Sequence, residues 1–240
     1  MKLLAFDTST ETLSVALRGG AHAPVLEHGG PGGAQASATL IPAIQALLAQ
    51  AGLSLGELDA IAFGRGPGSF TGLRTATAVA QGLGFGSGVP VLPIDTLLAV
   101  AEEAHALSGA TRVVAVLDAR MGEVYFASYE REQGQWHVRA APALGRPEGV
   151  QVPPGWTLAG NALEIQGMQL PADAGRVAAW PTARALLRLA PAALAEGGEH
   201  AAAGALPLYI RDKVAQTTEE RAAERARKEL QRGPGAATNP

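Results

Sequence analysis

The residue types that phosphate chemistry needs occur in two strings. Asp7-Thr8-Ser9-Thr10 follows an apolar run at residues 2–6. A carboxylate at the end of a buried strand can hold a hydrated Mg2+, while turn hydroxyls and N–H groups face phosphate oxygens. The same residue types also cap an ordinary hairpin turn, because Asp and Thr side chains bond their own backbone two residues on. The second string, Gly64-Arg65-Gly66-Pro67-Gly68-Ser69-Phe70-Thr71-Gly72-Leu73-Arg74, sets glycines around Ser69 and Thr71 at the start of a helical pattern. Such a loop can expose N–H groups at the positive end of a helix dipole, where anions bind. It is not a Walker A loop, which needs Lys followed by Ser or Thr after the glycines. Nor is it a nucleophile elbow, because Pro67 stands where that motif has Gly. The alternative is a strand-to-helix turn capped by Ser69 or Thr71. A cap needs one glycine, so those at 64, 66, 68 and 72 leave open close approach by a ligand or partner.

Hydrolytic chemistry finds little support. His22, His28, His105, His137 and His200 are nowhere spaced three or four apart, so neither a zinc site nor a histidine triad is expected. The 240 residues contain no Cys, which excludes a disulfide framework, a thiolate nucleophile and Cys-ligated metals. No catalytic residue and no metal-ligand set is assigned. With a formal charge of −3 and 17% charged residues, no global basic field captures nucleic acid, and any such contact would be local, through Arg65, Arg74 or the charged residues of 217–231. The apolar runs at 3–6 and 113–117 are far too short to span a membrane. Residues 2–6 open directly into a strand-like run without a signal-peptide pattern, so a cytoplasmic location is expected.

The elements that must position these strings alternate between strand and helix. After residues 2–6, Leu13, Val15 and Leu17 alternate with polar or small neighbours, as in a half-exposed strand. A Gly/Pro segment at 29–33 precedes a helix at 38–51. A buried strand at 58–63 leads into the glycine-rich turn, then a helix at 71–83, a strand at 89–94 and a linking helix at 96–106. The pattern predicts a mixed sheet with helices on it. The phrase then restarts. Residues 113–117 end in Asp118, followed by a polar turn and a second strand at 124–129, 111 residues after the first copy. Two α/β lobes with equivalent Asp residues facing one cleft are the expected architecture. Beyond this, 142–154 reads as loop, 157–159 as a short strand and 182–194 as a helix. Residues 217–231 read as a solvated helix of both charges, with Glu224 and Lys228 oriented for an i,i+4 pair.

LLAFDTSTETLSVAL (3–17), AFGRGPGSFTGLRTATAVAQGLG (62–84), PVLPIDTLLAVA (90–101), VLDARMGEVYFASY (116–129) and PLYIRDKVAQTT (207–218) together resemble the bacterial TsaB (YeaZ) family of tRNA threonylcarbamoyladenosine biosynthesis proteins. The resemblance implies an α/β chain of actin-like ATPase (ribonuclease-H-like) fold, with two lobes, each a mixed five-stranded sheet flanked by helices. On that reading 1–108 is the N-terminal lobe with the partner-docking helices and 109–212 the C-terminal lobe. Residues 213–232 are a charged helix and 233–240 a tail. It also implies a non-catalytic subunit that binds TsaD, the paralogue that moves threonylcarbamoyl from its adenylate to the adenosine beside the anticodon. The ATPase TsaE joins them. The chain would form a homodimer without TsaD and meet tRNA only through the complex.

Departures bear on chemistry. The catalytic paralogue binds metal through a His-x-x-x-His pair on its first helix, whereas residues 35–42 here contain no histidine. Ala36-Ser37-Ala38 stands where many family members have His-Ser-Glu. Asp118-Ala119-Arg120-Met121 sets bulky side chains where phosphate-clasping glycines are usual, and neither Gly160-Asn161 nor Gly197-Gly198 makes an adenosine motif. No tightly bound cofactor is expected, only weak ATP or ADP at the partner interface. Asp7, Thr8, Ser9 and Asp118 form at most a remnant phosphate site, with Gly66, Gly68, Ser69, Thr71 and Gly72 as a structural turn. The first helix is apolar all round, with Leu40, Ile44 and Leu47 on one flank and Ile41 and Leu48 on another, where a single stripe would suffice. With Leu73, Ala76 and Ala80 of the second helix, Leu40, Ile44 and Leu47 make the expected docking surface, which Ile44→Asp would weaken. Burial of this helix in its own lobe is the alternative. The rival function is an ATP-dependent phosphotransferase in which Asp7 and Asp118 hold Mg2+.

Overall fold

The computed structural model describes residues 1–165, 167, 169–172, 174–197 and 201–211. Its first sheet holds β1 (Leu3–Asp7), β2 (Thr12–Arg18), β3 (Val25–Pro31), β4 (Ala60–Gly66) and β5 (Val91–Asp95) in the order β3-β2-β1-β4-β5. Its second holds β6 (Arg112–Arg120), β7 (Glu123–Glu132), β8 (Gln135–Gly145), β9 (Thr157–Ala159) and β10 (Gly175–Val177) in the order β10-β9-β6-β7-β8. Read from the other edge, the second sheet has the connectivity of the first. In both, the first three strands form an antiparallel meander and the last two join in parallel beside the first. The repeated phrase in the sequence is thus a repeated ribonuclease-H-like sheet, with Asp7 and Asp118 near the ends of equivalent strands.

Two strands run through segments that read as breakers. β3 continues through Gly29, Gly30 and Pro31, and β8 extends past Pro142 to Gly145, into the expected 142–154 loop. Both are edge strands. An edge strand tolerates proline because one side of its backbone needs no ladder partner.

Helices α1 (Ala36–Ala51) and α2 (Phe70–Ser87) cover one face of the first sheet. Buried positions 36, 40, 43, 44, 47 and 48 of α1 form a stripe at helical spacing. Gly52, left-handed at φ 64°, donates to the carbonyls of Leu48 and Ala49 and ends the helix. The other two helices cross over. Leu97, Val100, Ala101 and Ala104 of α3 (Thr96–Ser108) pack on Val113, Ala115 and Leu117 of the second sheet. From α4 (Ala183–Ala195), Leu186, Leu187 and Ala190 return to Leu3, Ala5 and Leu92 of the first. α3 thus packs across the 108/109 point, and α4 returns across it. Arg188 ties α4 to α3 through Glu102 and Glu103, each at 2.6 Å.

Residues 201–210 run back along α2. Ala202 and Ala205 join the first lobe's core, and Leu208 N–H donates to the Arg65 carbonyl at 2.7 Å. No helix among the described residues is long and apolar enough to cross a membrane. The expected charged helix at 213–232 and tail at 233–240 lie outside the described residues.

Candidate functional site

Every residue of β1 is buried, which carries Asp7 out of solvent at 1% exposure. Its Oδ1 accepts from the Ser9 amide at 2.9 Å and the Ser9 hydroxyl at 2.7 Å. Its Oδ2 is buried and accepts no hydrogen bond. Burial pushes the Asp7 carboxyl up from 3.8 to about 6, against the pull of both Ser9 bonds and of the Thr96 hydroxyl. The orphan oxygen sits where a side chain on Gly64 would begin.

The glycine-rich loop closes over this turn. A Cβ on Gly72 would collide with the Thr8 carbonyl, and one on Gly68 would fall 2.5 Å from the Ser9 carbonyl. Real Cβ atoms do not approach backbone this closely, so Gly is required at both places. Ser69 N–H donates to the Ser9 carbonyl at 2.7 Å, and the Thr8 hydroxyl donates to the Gly72 carbonyl at 2.7 Å. A Cβ on Gly66 would fall 2.7 Å from the Leu208 carbonyl. The close approach left open by the glycines is therefore made by the chain's own Asp7 turn and its 201–210 segment. Ser69 takes the N-cap position of α2, one of the two expected, but makes no side-chain cap bond, and Thr71 lies inside the helix.

Asp118 is treated differently. Its Oδ1 accepts from the Arg120 amide at 2.8 Å, and its Oδ2 pairs with Arg120 Nη1 at 3.2 Å. Arg120 Nη2 reaches Glu11 Oε2 at 3.7 Å, linking the second Asp turn to the first. Arg120 and Met121 both hold left-handed backbone, at φ 65° and 58°, which non-glycine residues adopt at a cost. The Asp118 amide donates to Asn161 Oδ1 at 3.0 Å. Asn161 is buried because Gly160, at φ 147°, lets the chain lie against the Val116 carbonyl. Gly160-Asn161, which makes no adenosine motif, thus serves the second Asp turn instead. The signal it held was a glycine after a strand, which marks close backbone approach.

A Mg2+-nucleotide, which the fold family implies, fits these residues poorly. The free oxygen of Asp7 is walled by Gly64, the loop amide of Ser69 serves Ser9, and the free oxygen of Asp118 faces a guanidinium. Among the described residues no three His, Asp or Glu side chains converge as a metal site.

The six expected docking residues are a correction. Leu40, Ile44, Leu47, Leu73, Ala76 and Ala80 are all buried within their own lobe, because the first sheet takes the stripe at 36–48 and the small-residue row of α2. What α1 shows to solvent is Ser37, Ala38, Thr39, Ile41, Pro42, Gln45, Ala46, Ala49 and Gln50. Ile41 is 44% exposed, and no residue of α1 is charged. On α2, Phe70 and Phe85 are exposed, with Arg74 stacked 4.3 Å over the Phe70 ring and Tyr209 beside it.

A family model described as TsaD, tRNA N6-adenosine threonylcarbamoyltransferase, matches residues 33–219. Over 236 residues the chain is 38% identical to the tRNA threonylcarbamoyladenosine biosynthesis protein TsaB of Escherichia coli, covering 90% of this chain and 96% of the relative. The chain belongs to the TsaB family. The Haemophilus influenzae TsaB is 50% identical over 138 residues, covering 55% of this chain and 56% of the relative. The solved structure of YeaZ from Pseudomonas aeruginosa superposes with a TM-score of 0.78 at 40% identity, over 87% of this chain and 99% of that one. The resemblance read from the strings and the repeated ribonuclease-H-like fold are thereby shown, and the chain is a TsaB homologue of tRNA threonylcarbamoyladenosine biosynthesis.

Proposed function

We propose that the chain is a non-catalytic docking subunit for TsaD, binding it through the outward faces of α1 and α2 so that threonylcarbamoyl passes from its adenylate to the tRNA adenosine. The observation that carries the reading is the outer face of α1, where four exposed turns hold Ile41, Pro42 and alanines without a charge. A solvated helix face ordinarily carries charges; this one sets Ile41, Pro42 and alanines among Ser37, Thr39, Gln45 and Gln50, and its small uncharged side chains let a partner helix approach closely. Sealing of Asp7 and pairing of Asp118 support the non-catalytic part. TsaE joining the pair, self-association through the same face without TsaD, weak ATP or ADP at the junction and indirect tRNA contact belong to the same proposal. The phosphotransferase alternative is disfavoured by the poor fit of both carboxylates to a nucleotide.

Two variants separate docking from folding. Ile41→Asp changes an exposed side chain, so the chain keeps its stability within about 0.5 kcal/mol and loses co-elution with TsaD. Ile44→Asp buries a charge in the lobe's own core and lowers stability by about 4 kcal/mol. Unchanged co-elution of Ile41→Asp with TsaD would remove α1 from the interface.

A further inference from the structure

A cavity of about 650 Å3 is lined mainly from β5, α3, α4 and the β7–β8 hairpin, with Arg18 of β2 and Arg65 of β4. This lies within the size range of small-molecule sites. Its cations fall into two classes. Arg65 is held by Asp95 at 2.6 Å, and Arg188 by Glu102 and Glu103. Arg18, at the end of β2, and Arg131, on β7, line the same cavity with no side-chain partner of either kind, and the Nε of each is shut off from solvent. The buried Nε cannot be met from the cavity, so what each guanidinium offers a ligand is its terminal Nη edge, which is not among the buried atoms and has no carboxylate partner. No carboxylate of the lining pairs with either arginine: Asp95 and Glu102 are engaged elsewhere, and Glu196 stays exposed at the end of α4.

The rest of the lining says what the acceptor is attached to. Ile94, Leu98, Leu189 and Ala193 give an apolar wall. The Trp136 indole N–H is spent on Glu102 Oε2 at 2.9 Å, so the ring offers hydrocarbon surface rather than a donor. A guanidinium edge suits the oxygens of a carboxylate or phosphate, and adjacent apolar and aromatic surface suits a nonpolar body. We propose that this cavity binds a small organic anion, a carboxylate or phosphate ester carrying an apolar or aromatic body, with Arg18 and Arg131 as the anion-binding residues. The site is independent of the docking face on α1.

The test is an arginine Nε–H proton–nitrogen correlation spectrum of the full chain, titrated separately with phenyl phosphate, hippurate and inorganic phosphate. Arg18→Gln and Arg131→Gln assign the two resonances. Either organic anion is expected to shift both in a saturable manner below about 10 mM, and at least tenfold more tightly than inorganic phosphate, a difference of about 1.4 kcal/mol. A response to phenyl phosphate marks the phosphate ester, and one to hippurate marks the carboxylate. Ala193→Leu, which keeps both arginines and fills the apolar wall, is expected to weaken the response at least tenfold. No shift with either organic anion, equal response to inorganic phosphate, or an unchanged response in Ala193→Leu would each overturn the proposal.

Discussion

Asp7 and Asp118 end equivalent strands of two sheets with one connectivity, yet their surroundings are opposite. The first turn is sealed by glycines packed on the Thr8 and Ser9 carbonyls, and its carboxylate keeps one oxygen buried without a donor. The second turn is built from side chains: Arg120 neutralises Asp118 and reaches on to Glu11. The duplicated fold fixes where an aspartate stands. What packs against it decides whether it can hold a ligand: Gly64 walls the free oxygen of Asp7, and Arg120 takes an oxygen of Asp118.

The sharpest break in this comparison comes from glycine. Gly72→Ala drives a methyl into the Thr8 carbonyl, where both partners are backbone and neither can move aside. We expect a loss of about 4 kcal/mol in urea unfolding. In the second turn Gly122 has φ 73° and open space around it, so Gly122→Ala costs only about 1 kcal/mol for its left-handed backbone. Equal losses would mean that the two turns are not packed differently.

Next in size is the buried carboxylate. Because the folded chain holds the Asp7 proton up to about 6 and the unfolded chain releases it near 3.8, folding favours the protonated form. Stability from this group is therefore greatest at low pH and falls as pH rises from 4 to 6, by about 3 kcal/mol in all. Asp7→Asn removes that fall. Urea unfolding of both proteins between pH 4 and 7.5 is expected to show the variant gaining on the parent as pH rises. A constant difference across the window would contradict the burial account.

The smallest effect is at Arg120, which is 69% exposed at its side chain. Arg120→Ala removes a largely solvent-exposed guanidinium from Asp118 and Glu11 and is expected to change stability by less than about 1 kcal/mol. Its informative readout is nucleotide: a rise in melting temperature with MgATP in Arg120→Ala, absent in the parent, would show that this guanidinium alone blocks Asp118.

Much of this arrangement was legible in the sequence. The alternation of Leu13, Val15 and Leu17 gave β2, and the repeated strand–Asp–turn–strand phrase gave the second sheet. β3 and β8 were not legible, because an edge strand can carry Gly29-Gly30-Pro31 or Pro142 that would break a central one. The glycines of residues 64–72 announced a close approach but not to what, since the contact is to Thr8 and Ser9, more than fifty residues away. On α1 the stripe at 36, 40, 43, 44, 47 and 48 left Ile41 as the large apolar residue off the core face. Reading Ile44 as outward misjudged which side the sheet would take. Return of α4 to the first sheet depends on contacts between segments some 180 residues apart, beyond any local periodicity.

The most direct test of the central claim, that this chain promotes the reaction without performing it, is reconstitution. TsaD, TsaE, the adenylate-forming enzyme, threonine, bicarbonate, ATP and tRNA are combined without the chain, with it, and with its Asp7→Asn or Asp118→Ala variant. The tRNA is then digested for nucleoside mass spectrometry. The account predicts threonylcarbamoyladenosine only when the chain is present, and equal amounts with both variants. Product formed equally without the chain, or lost with Asp118→Ala while that variant still co-elutes with TsaD, would contradict it.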